Sequence, residues 1–147
     1  MIGTLEAQTA ATLRELQGVS EEQSLYRYAP GKWSLRESWL HVVDTERIFT
    51  YRMLRFARKD PTDLSSFDQD VFIGPSEADS RNWASIVEEW QAVRGATLQL
   101  FRNLPAAAWG NAGTVGGNTM SARGMAYATA GHELHHVKLL QERYRNQ

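Results

Sequence analysis

The chain has 147 residues, 42% of them hydrophobic and 22% charged, a composition typical of a globular protein that excludes a wholly disordered chain. The 16 basic and 17 acidic residues give a formal net charge of −1 without any long basic run, so we expect no nucleic-acid partner. There is no cysteine, which excludes disulfides and cysteine catalysis and leaves His, Asp and Glu as ligands for any tight metal site.

The first predicted helix covers residues 2–17, where apolar residues recur every three or four positions before Gly18. A capping box, Ser34-Leu-Arg-Glu37, predicts the start of the second helix, which we expect to continue to about Arg58 because Pro61 follows. A shorter capping box over residues 20–23 predicts one or two helical turns between these two helices.

The third helix is predicted from Ser80 or Arg81 to Asn103, and the fourth from an N-cap at Ser121 through Tyr144. Pro and Gly interrupt residues 60–80 and 104–120, so both segments are predicted as long connections, the second with room for a short hairpin. No longer run alternates as a strand does. The sequence therefore predicts an all-α fold, a four-helix bundle with long connections, as one domain over residues 1–147.

The N-terminal residues 1–6 lack the basic and apolar regions of a secretory signal, and no apolar run approaches the ~20 residues that span a bilayer. We therefore expect a cytoplasmic protein without a membrane partner. Exposed apolar surface on bundles of this size often mediates pairing, so we also expect a homodimer.

Three of the four histidines lie within residues 132–136. His132 and His136 are four positions apart, so on a helix they project from one face, about 6 Å from each other, and can chelate one ion. On a helix that turns ~100° per residue, His41 projects within about 20° of the direction of the residue predicted to cap its helix. The same holds for His132 and its own predicted N-cap. If both helices begin at the same end of the bundle, the three imidazoles share an inward-facing metal site. A lone helical His is more often a surface or core residue, and His135 points away from the pair toward solvent or a position behind the ligands.

Residues 132–136 also match the H-E-x-x-H pattern, in which the Glu activates a metal-bound water. Glu133 is therefore a candidate catalytic base, and its alternative role is an exposed or supporting carboxylate. A peptidase of this type binds extended substrate along a strand, and no suitable strand is evident in the sequence, so a peptidase is not expected.

Two segments together resemble the DinB-like superfamily, which includes YfiT-type metal-dependent hydrolases and bacterial thiol S-transferases. They are residues 28–46, YAPGKWSLRESWLHVVDTE, and residues 131–141, GHELHHVKLLQ. The resemblance implies a four-helix bundle that holds a divalent ion, zinc or nickel, on His41, His132 and His136, with water completing the coordination. The acidic pair Asp44 and Glu46 fits a pattern that recurs after the first ligand, and Asp44 is a candidate to orient His41 or else a solvated carboxylate.

An open three-histidine site predicts an enzyme that acts on a small molecule, either by hydrolysis with metal-bound water or by transfer of a low-molecular-weight thiol. The alternatives are a metal-binding stress-response protein without catalysis and a small-molecule-binding module. Basic side chains are usually solvated at the protein surface, but four of them are candidate anchors for an acidic substrate: Lys32, Arg36, Arg52 and Arg123. Five aromatic residues are candidate pocket walls, although core packing is more common: Trp33, Trp39, Trp83, Trp90 and Tyr127.

Overall fold

Six α-helices make up most of residues 1–145, the part of the chain described by this computed structural model. They are α1 (Ile2–Gln17), α2 (Glu21–Ser24), α3 (Leu35–Ala57), α4 (Gln69–Ile73), α5 (Trp83–Asn103) and α6 (Ala122–Leu139). Short 3-10 turns occupy Gly74–Ser76, Ala78–Ser80 and Ala106–Gly110, and α6 continues into a π-helical turn at Leu140–Tyr144. The only sheet within residues 1–145 pairs β1 (Ala112–Val115) with β2 (Asn118–Ser121). The predicted all-α fold is confirmed.

Side-chain caps set the starts of two of the predicted helices, α3 and α6. The Ser34 hydroxyl accepts from the Glu37 amide at 3.1 Å, and the Glu37 carboxylate accepts from the Ser34 amide at 3.0 Å. The Ser121 hydroxyl accepts from the Gly124 amide at 3.0 Å. Because each cap satisfies an amide that has no partner inside the helix, α3 and α6 begin where the sequence predicts.

Helix α5 begins two or three residues later than predicted. Ala78–Ser80 forms a 3-10 turn, and Arg81 has an extended backbone at φ −96°, ψ 147°. The cap comes from a distant part of the chain, because the Glu21 carboxylate accepts from the Trp83 amide at 2.7 Å and the Ala84 amide at 3.2 Å. These hydrogen bonds, that from Trp83 foremost, lower the pKa of Glu21. A cap supplied by another helix cannot be read from the residues beside α5.

The four long helices α1, α3, α5 and α6 form the bundle, in which α3 packs against α5 and α6 while α1 packs against the same two helices from the opposite corner. Helices α1 and α6 run in the same direction, since Gln8 bonds to Ala130 and Glu15 bonds to Gln141. Helix α3 runs antiparallel to α6, because Ser38, near the start of α3, lies beside His136, near the end of α6.

The hairpin anticipated in the second long connection closes the far end of the bundle. Gly116 and Gly117 form its turn with φ values of +56° and +79°, a conformation that favours glycine. Gly113 lies so close to Phe56 that a Cβ would stand 2.1 Å from the ring. No helix within residues 1–145 combines the length and the apolar character that crossing a bilayer requires.

Candidate metal centre

Three imidazoles converge between α3 and α6. His41, His132 and His136 each offer a ring nitrogen, and these nitrogens lie within 4.8 Å of one another. His41 Nε2 and His132 Nε2 are 3.0 Å apart. Nitrogens bound to one zinc ion at about 2.1 Å in tetrahedral geometry stand roughly 3.4 Å apart, so small side-chain movements would complete the site. The residues present therefore fit a divalent ion.

The three histidines meet although the condition that we stated from the sequence, N-caps at the same end of the bundle, is not met. Their N-caps do not lie at the same end of the bundle, because α3 and α6 are antiparallel. His41 belongs to the second turn of α3, whereas His132 and His136 belong to the last two turns of α6. The start of one helix thus lies beside the end of the other, and both ligand segments reach the same level of the bundle.

Burial keeps the three imidazoles neutral. Desolvation, helped by the neighbouring His132, lowers the pKa of His41 to about 4. Burial is also the main cause that lowers the pKa of His132 to about 4 and that of His136 to about 3. At neutral pH each ring therefore keeps one nitrogen lone pair, the form in which histidine binds a metal.

The low pKa values predict that the metal-free fold is sensitive to acid. Histidine in the unfolded chain titrates near 6.5, well above the value of about 3 for His136 in the folded chain. Between these values the unfolded chain binds protons that the folded chain does not, so stability decreases as the pH falls. We expect the free energy of unfolding of chelator-treated protein to fall from pH 6.5 toward about pH 4. His136→Gln should reduce this slope in urea titrations, and equal slopes would contradict the prediction.

Two hydroxyl groups of α3 lie behind the ligands. Ser38 Oγ is 3.3 Å from His136 Nδ1, and Thr45 Oγ1 is 3.4 Å from His41 Nδ1. These contacts leave Nε2 of both rings for an ion. The side chain beside His41 Nδ1 is therefore Thr45 and not Asp44. Burial is the main cause that raises the pKa of Asp44, and the charges that act on it are those of Arg47, Glu89 and Arg81. Ser38 and Thr45 were missed in the sequence, although their spacings of three and four from His41 place them on its helix face.

Glu133 does not line the pocket beside the histidines. Its carboxylate is 1% exposed and accepts hydrogen bonds from Thr12 at 2.8 Å and from the Trp90 indole at 3.2 Å. It also accepts from Gln8 and pairs with Arg94. With its oxygens engaged in this way, the carboxylate has a structural environment, and the geometry does not support the general-base role predicted from the H-E-x-x-H pattern.

Glu133 belongs to a buried polar network that joins all four long helices. Arg94 of α5 pairs with Glu46 of α3 through two hydrogen bonds of 2.8 and 2.9 Å, and also with Glu133 of α6. From α1, Thr9 accepts from Arg94 at 2.9 Å. One buried cation thus faces two buried carboxylates, and this accounts for Glu46, whose role the sequence left open.

A cavity of about 510 Å³ opens beside the three histidines. Loop residues before α3, including Lys32 and Trp33, form one wall, and Gln69 and Asp70 of α4 form another. Tyr28, Ser38, His135, Leu139 and Tyr144 complete the lining with the ligands. The first long connection therefore contributes α4 to the pocket.

The other candidate pocket residues lie elsewhere. Trp39, Trp83 and Trp90 are buried in the core, and Tyr127 is exposed. The candidate anchors Arg36, Arg52 and Arg123 do not line the cavity. Arg36 is buried and donates to Ser24 at 2.8 Å, whereas Arg52 donates to the Ser65 carbonyl at 3.0 Å.

Comparison with known protein families identifies the family of the chain. The model of the DinB superfamily matches residues 4–140. The chain belongs to the DinB superfamily. A search of curated protein sequences gives no significant match.

Two solved structures share the fold of this DinB-superfamily chain. YfiT from Bacillus subtilis superposes with a TM-score of 0.85 at 16% identity, over 98% of this chain and 83% of its own. Metal-dependent hydrolysis is ascribed to YfiT, which has an unusual four-helix bundle topology. The mycothiol-dependent maleylpyruvate isomerase superposes with a TM-score of 0.77 at 14% identity over 93% of this chain. The alignment covers 57% of that enzyme, so the chain spans little more than half of its length. At these identities the likeness establishes the fold alone.

Proposed function

We propose that this protein is a metal-dependent enzyme that acts on a small molecule in the pocket beside His41, His132 and His136. The observation that carries the proposal is the convergence of three neutral imidazoles on a cavity of about 510 Å³. Three neutral nitrogen donors suit zinc or nickel. When bound, such an ion supplies a Lewis acid that lowers the pKa of a coordinated water or thiol.

The pocket suits two reactions, thiol transfer and hydrolysis. Hydrolysis by metal-bound water usually also uses a protein base, and Glu133 is held by Arg94 outside the cavity. Within the cavity, Asp70 of α4 and His135 of α6 are candidates for such a base. A thiol whose pKa the ion lowers would release its proton to solvent, a step that does not require a base in the cavity. Thiol S-transfer is therefore our first candidate, supported by the fold shared with a mycothiol-dependent enzyme, and hydrolysis, as ascribed to YfiT, is the second.

The pocket walls indicate how a polar small molecule would bind. Lys32 and Asp70 place opposite charges at the cavity, so a substrate that carries both an anionic and a cationic group would find a partner for each. Trp33 and Tyr28 add flat aromatic surface beside the histidines. A low-molecular-weight thiol with polar substituents fits these walls. The homodimer and the cytoplasmic location stay predictions.

Metal-dependent turnover is the test of this function. Protein loaded with zinc or nickel is assayed with a panel of small thiols and electrophiles, and in parallel with esters and amides. We expect thiol-dependent turnover that a chelator abolishes, that added metal restores, and that falls by at least about 100-fold in His136→Ala. Activity that survives both the chelator and the substitution would contradict the proposal. Stoichiometric metal without turnover on either panel would instead favour the alternative, a non-catalytic metal- or small-molecule-binding protein.

A further inference from the structure

Helix α4 reaches the pocket as part of an exposed arm, residues 65–72. Every residue of the arm except Phe67 is exposed, and Phe67 is half-buried. Before the arm, Leu64 is hydrogen-bonded to the hairpin through its amide and its carbonyl, and after the arm Ile73 is buried. Because the arm itself buries so little surface, it depends on a few specific contacts to keep one position.

The Arg52 side chain of α3 contacts the arm in two ways. Its Nη2 donates to the Ser65 carbonyl oxygen at 3.0 Å, and its guanidinium carbon lies 5.7 Å from the centre of the Phe67 ring. The guanidinium also lies 5.9 Å from the ring centre of Phe49, a residue of α3 itself. Among residues 1–145 Arg52 forms no ion pair, so its charge acts through the carbonyl and the two rings.

Arg52 links two pairs of rings into one stack that leads from the metal centre to α4. The Phe49 ring lies 5.9 Å from the ring of His132, and the Phe67 ring lies 5.1 Å from that of Phe72 in α4. Arg52 contacts both Phe49 and Phe67, so its removal would interrupt the stack in the middle. The arm is thereby held beside the histidines.

The arm brings a carboxylate to the cavity. Gln69 and Asp70 line it beside the three histidines, and among residues 1–145 Asp70 forms no ion pair. The aromatic residues Tyr28 and Trp33 line the same cavity. A carboxylate and aromatic rings around one cavity attract an organic ammonium group, the carboxylate by its charge and the rings by cation–π interaction.

We propose that Asp70 recognises an organic ammonium group of the substrate, and that Arg52 is the positioning residue that keeps Asp70 at the cavity. The proposal rests on the function proposed above, to which it adds one chemical feature of the substrate. Arg52 itself does not line the cavity and acts through the arm.

Two thiols that differ by one charge test the recognition. Thiocholine carries a trimethylammonium group, which cannot coordinate the ion, and its neutral counterpart carries a tert-butyl group of the same shape. Calorimetric titration of both thiols into zinc-loaded protein gives the preference of each variant for the charged thiol. Both thiols meet the same ion in every variant, so a change of this preference between variants reports the interaction with the charge.

We expect the preference for thiocholine to be about five-fold greater in wild type than in Asp70→Asn, the upper range for a solvated ion pair. Asp70→Glu keeps the carboxylate and should keep most of the preference. An equal preference in wild type and Asp70→Asn, or a failure of both thiols to bind, would overturn the recognition by Asp70.

Arg52→Met tests the positioning role. The amide hydrogens of residues 70–72 are hydrogen-bonded to Asp68, and we expect them to exchange with deuterium at least about ten-fold faster in the variant. The preference for thiocholine should fall to that of Asp70→Asn. Zinc affinity should stay close to wild type, because Arg52 is not one of the converging ligands.

Two further variants complete the test. Arg47→Met is the matched control on the same helix, since Arg47 is 52% exposed and pairs with Glu89 of α5, and it should change neither the exchange nor the preference. Phe67→Leu removes the ring from the arm and should reproduce the effects of Arg52→Met even where that variant folds poorly.

An unchanged thiol preference in both Arg52→Met and Phe67→Leu would overturn the positioning role, whatever the exchange rates. The proposed function fails separately. Charge-dependent binding of thiocholine without turnover on any panel leaves the recognition by Asp70 in place and removes the enzyme. Metal-dependent turnover with the same thiol preference in wild type and Asp70→Asn does the reverse.

Discussion

We expect purified wild-type protein to carry about one divalent ion per chain and His132→Ala protein to lose it. The His132 ring is central to the cluster, with centroids 4.8 Å from His41 and 4.6 Å from His136. Its Nε2 is also the atom that approaches His41 Nε2 to 3.0 Å. Without it, one imidazole from α3 and one from α6 remain, and two neutral donors without a carboxylate hold zinc or nickel far more weakly than three. Elemental analysis after dialysis measures the metal content.

His135→Ala is the matched control for metal content. It removes an imidazole from the same helix and the same cavity wall, but one that is not part of the converging cluster. We expect it to retain the ion at the wild-type ratio. Retention of the full metal content by His132→Ala, or its loss from both variants alike, would show that the three-histidine assignment is incorrect.

Arg94→Met is expected to lower the free energy of unfolding by about 3–5 kcal/mol, the typical cost of removing one partner from a buried ion pair. Arg94 is 1% exposed, and it is the cation between Glu46 and Glu133, which are 3% and 1% exposed. Methionine fills much of the same volume but leaves two carboxylates buried without a counter-charge. Their repulsion and their lost hydrogen bonds both favour the unfolded chain. Chemical denaturation followed by circular dichroism measures the change.

Arg102→Met on the same helix is the control for this substitution. Arg102 pairs with Glu6 at the surface, where the two side chains are 42% and 46% exposed. Solvent screens such a pair, so its loss should cost no more than about 1 kcal/mol. Equal losses in the two variants would mean that the network around Arg94 contributes nothing beyond an ordinary surface contact.

Neutralising the carboxylates should restore much of the stability that Arg94→Met removes. Replacing Glu46 and Glu133 with Gln in the Arg94→Met background keeps their shape and removes their charge. At position 133 the single amide oxygen of Gln can accept from the Trp90 indole, while its NH2 group faces Thr12, whose hydroxyl can accept instead of donate. Because buried ion pairs often stabilise little relative to neutral groups, the triple variant should be more stable than Arg94→Met alone. A further loss would show that the hydrogen-bond geometry, rather than the charge, is what Arg94 maintains.

The sequence alone was enough to predict the long helices and the three histidines that the fold brings together. Capping boxes act within four residues, so Ser34 and Glu37 defined the start of α3 without reference to the rest of the fold. The spacing of His132 and His136 likewise places two imidazoles on one face of any helix. The family resemblance then identified His41, and the structure brings it to the other two. The start of α5 was misplaced because its cap, Glu21, belongs to another helix.

Only the tertiary structure determined which neighbouring groups each face of a helix contacts. Helical periodicity carries no information about whether neighbouring helices run parallel or antiparallel, so the sequence permitted the incorrect assumption that α3 and α6 begin at the same end. The same pairing turns Glu133 toward Arg94 and away from the pocket, although it adjoins a ligand in sequence. It also brings Ser38 beside His136 and the Tyr144 hydroxyl to the Trp33 carbonyl, pairs that are 98 and 111 residues apart in the sequence. Local chemistry determined the helices and the His132–His136 pair, whereas the contact of His41 with that pair and the contact of Ser38 with His136 depend on long-range packing.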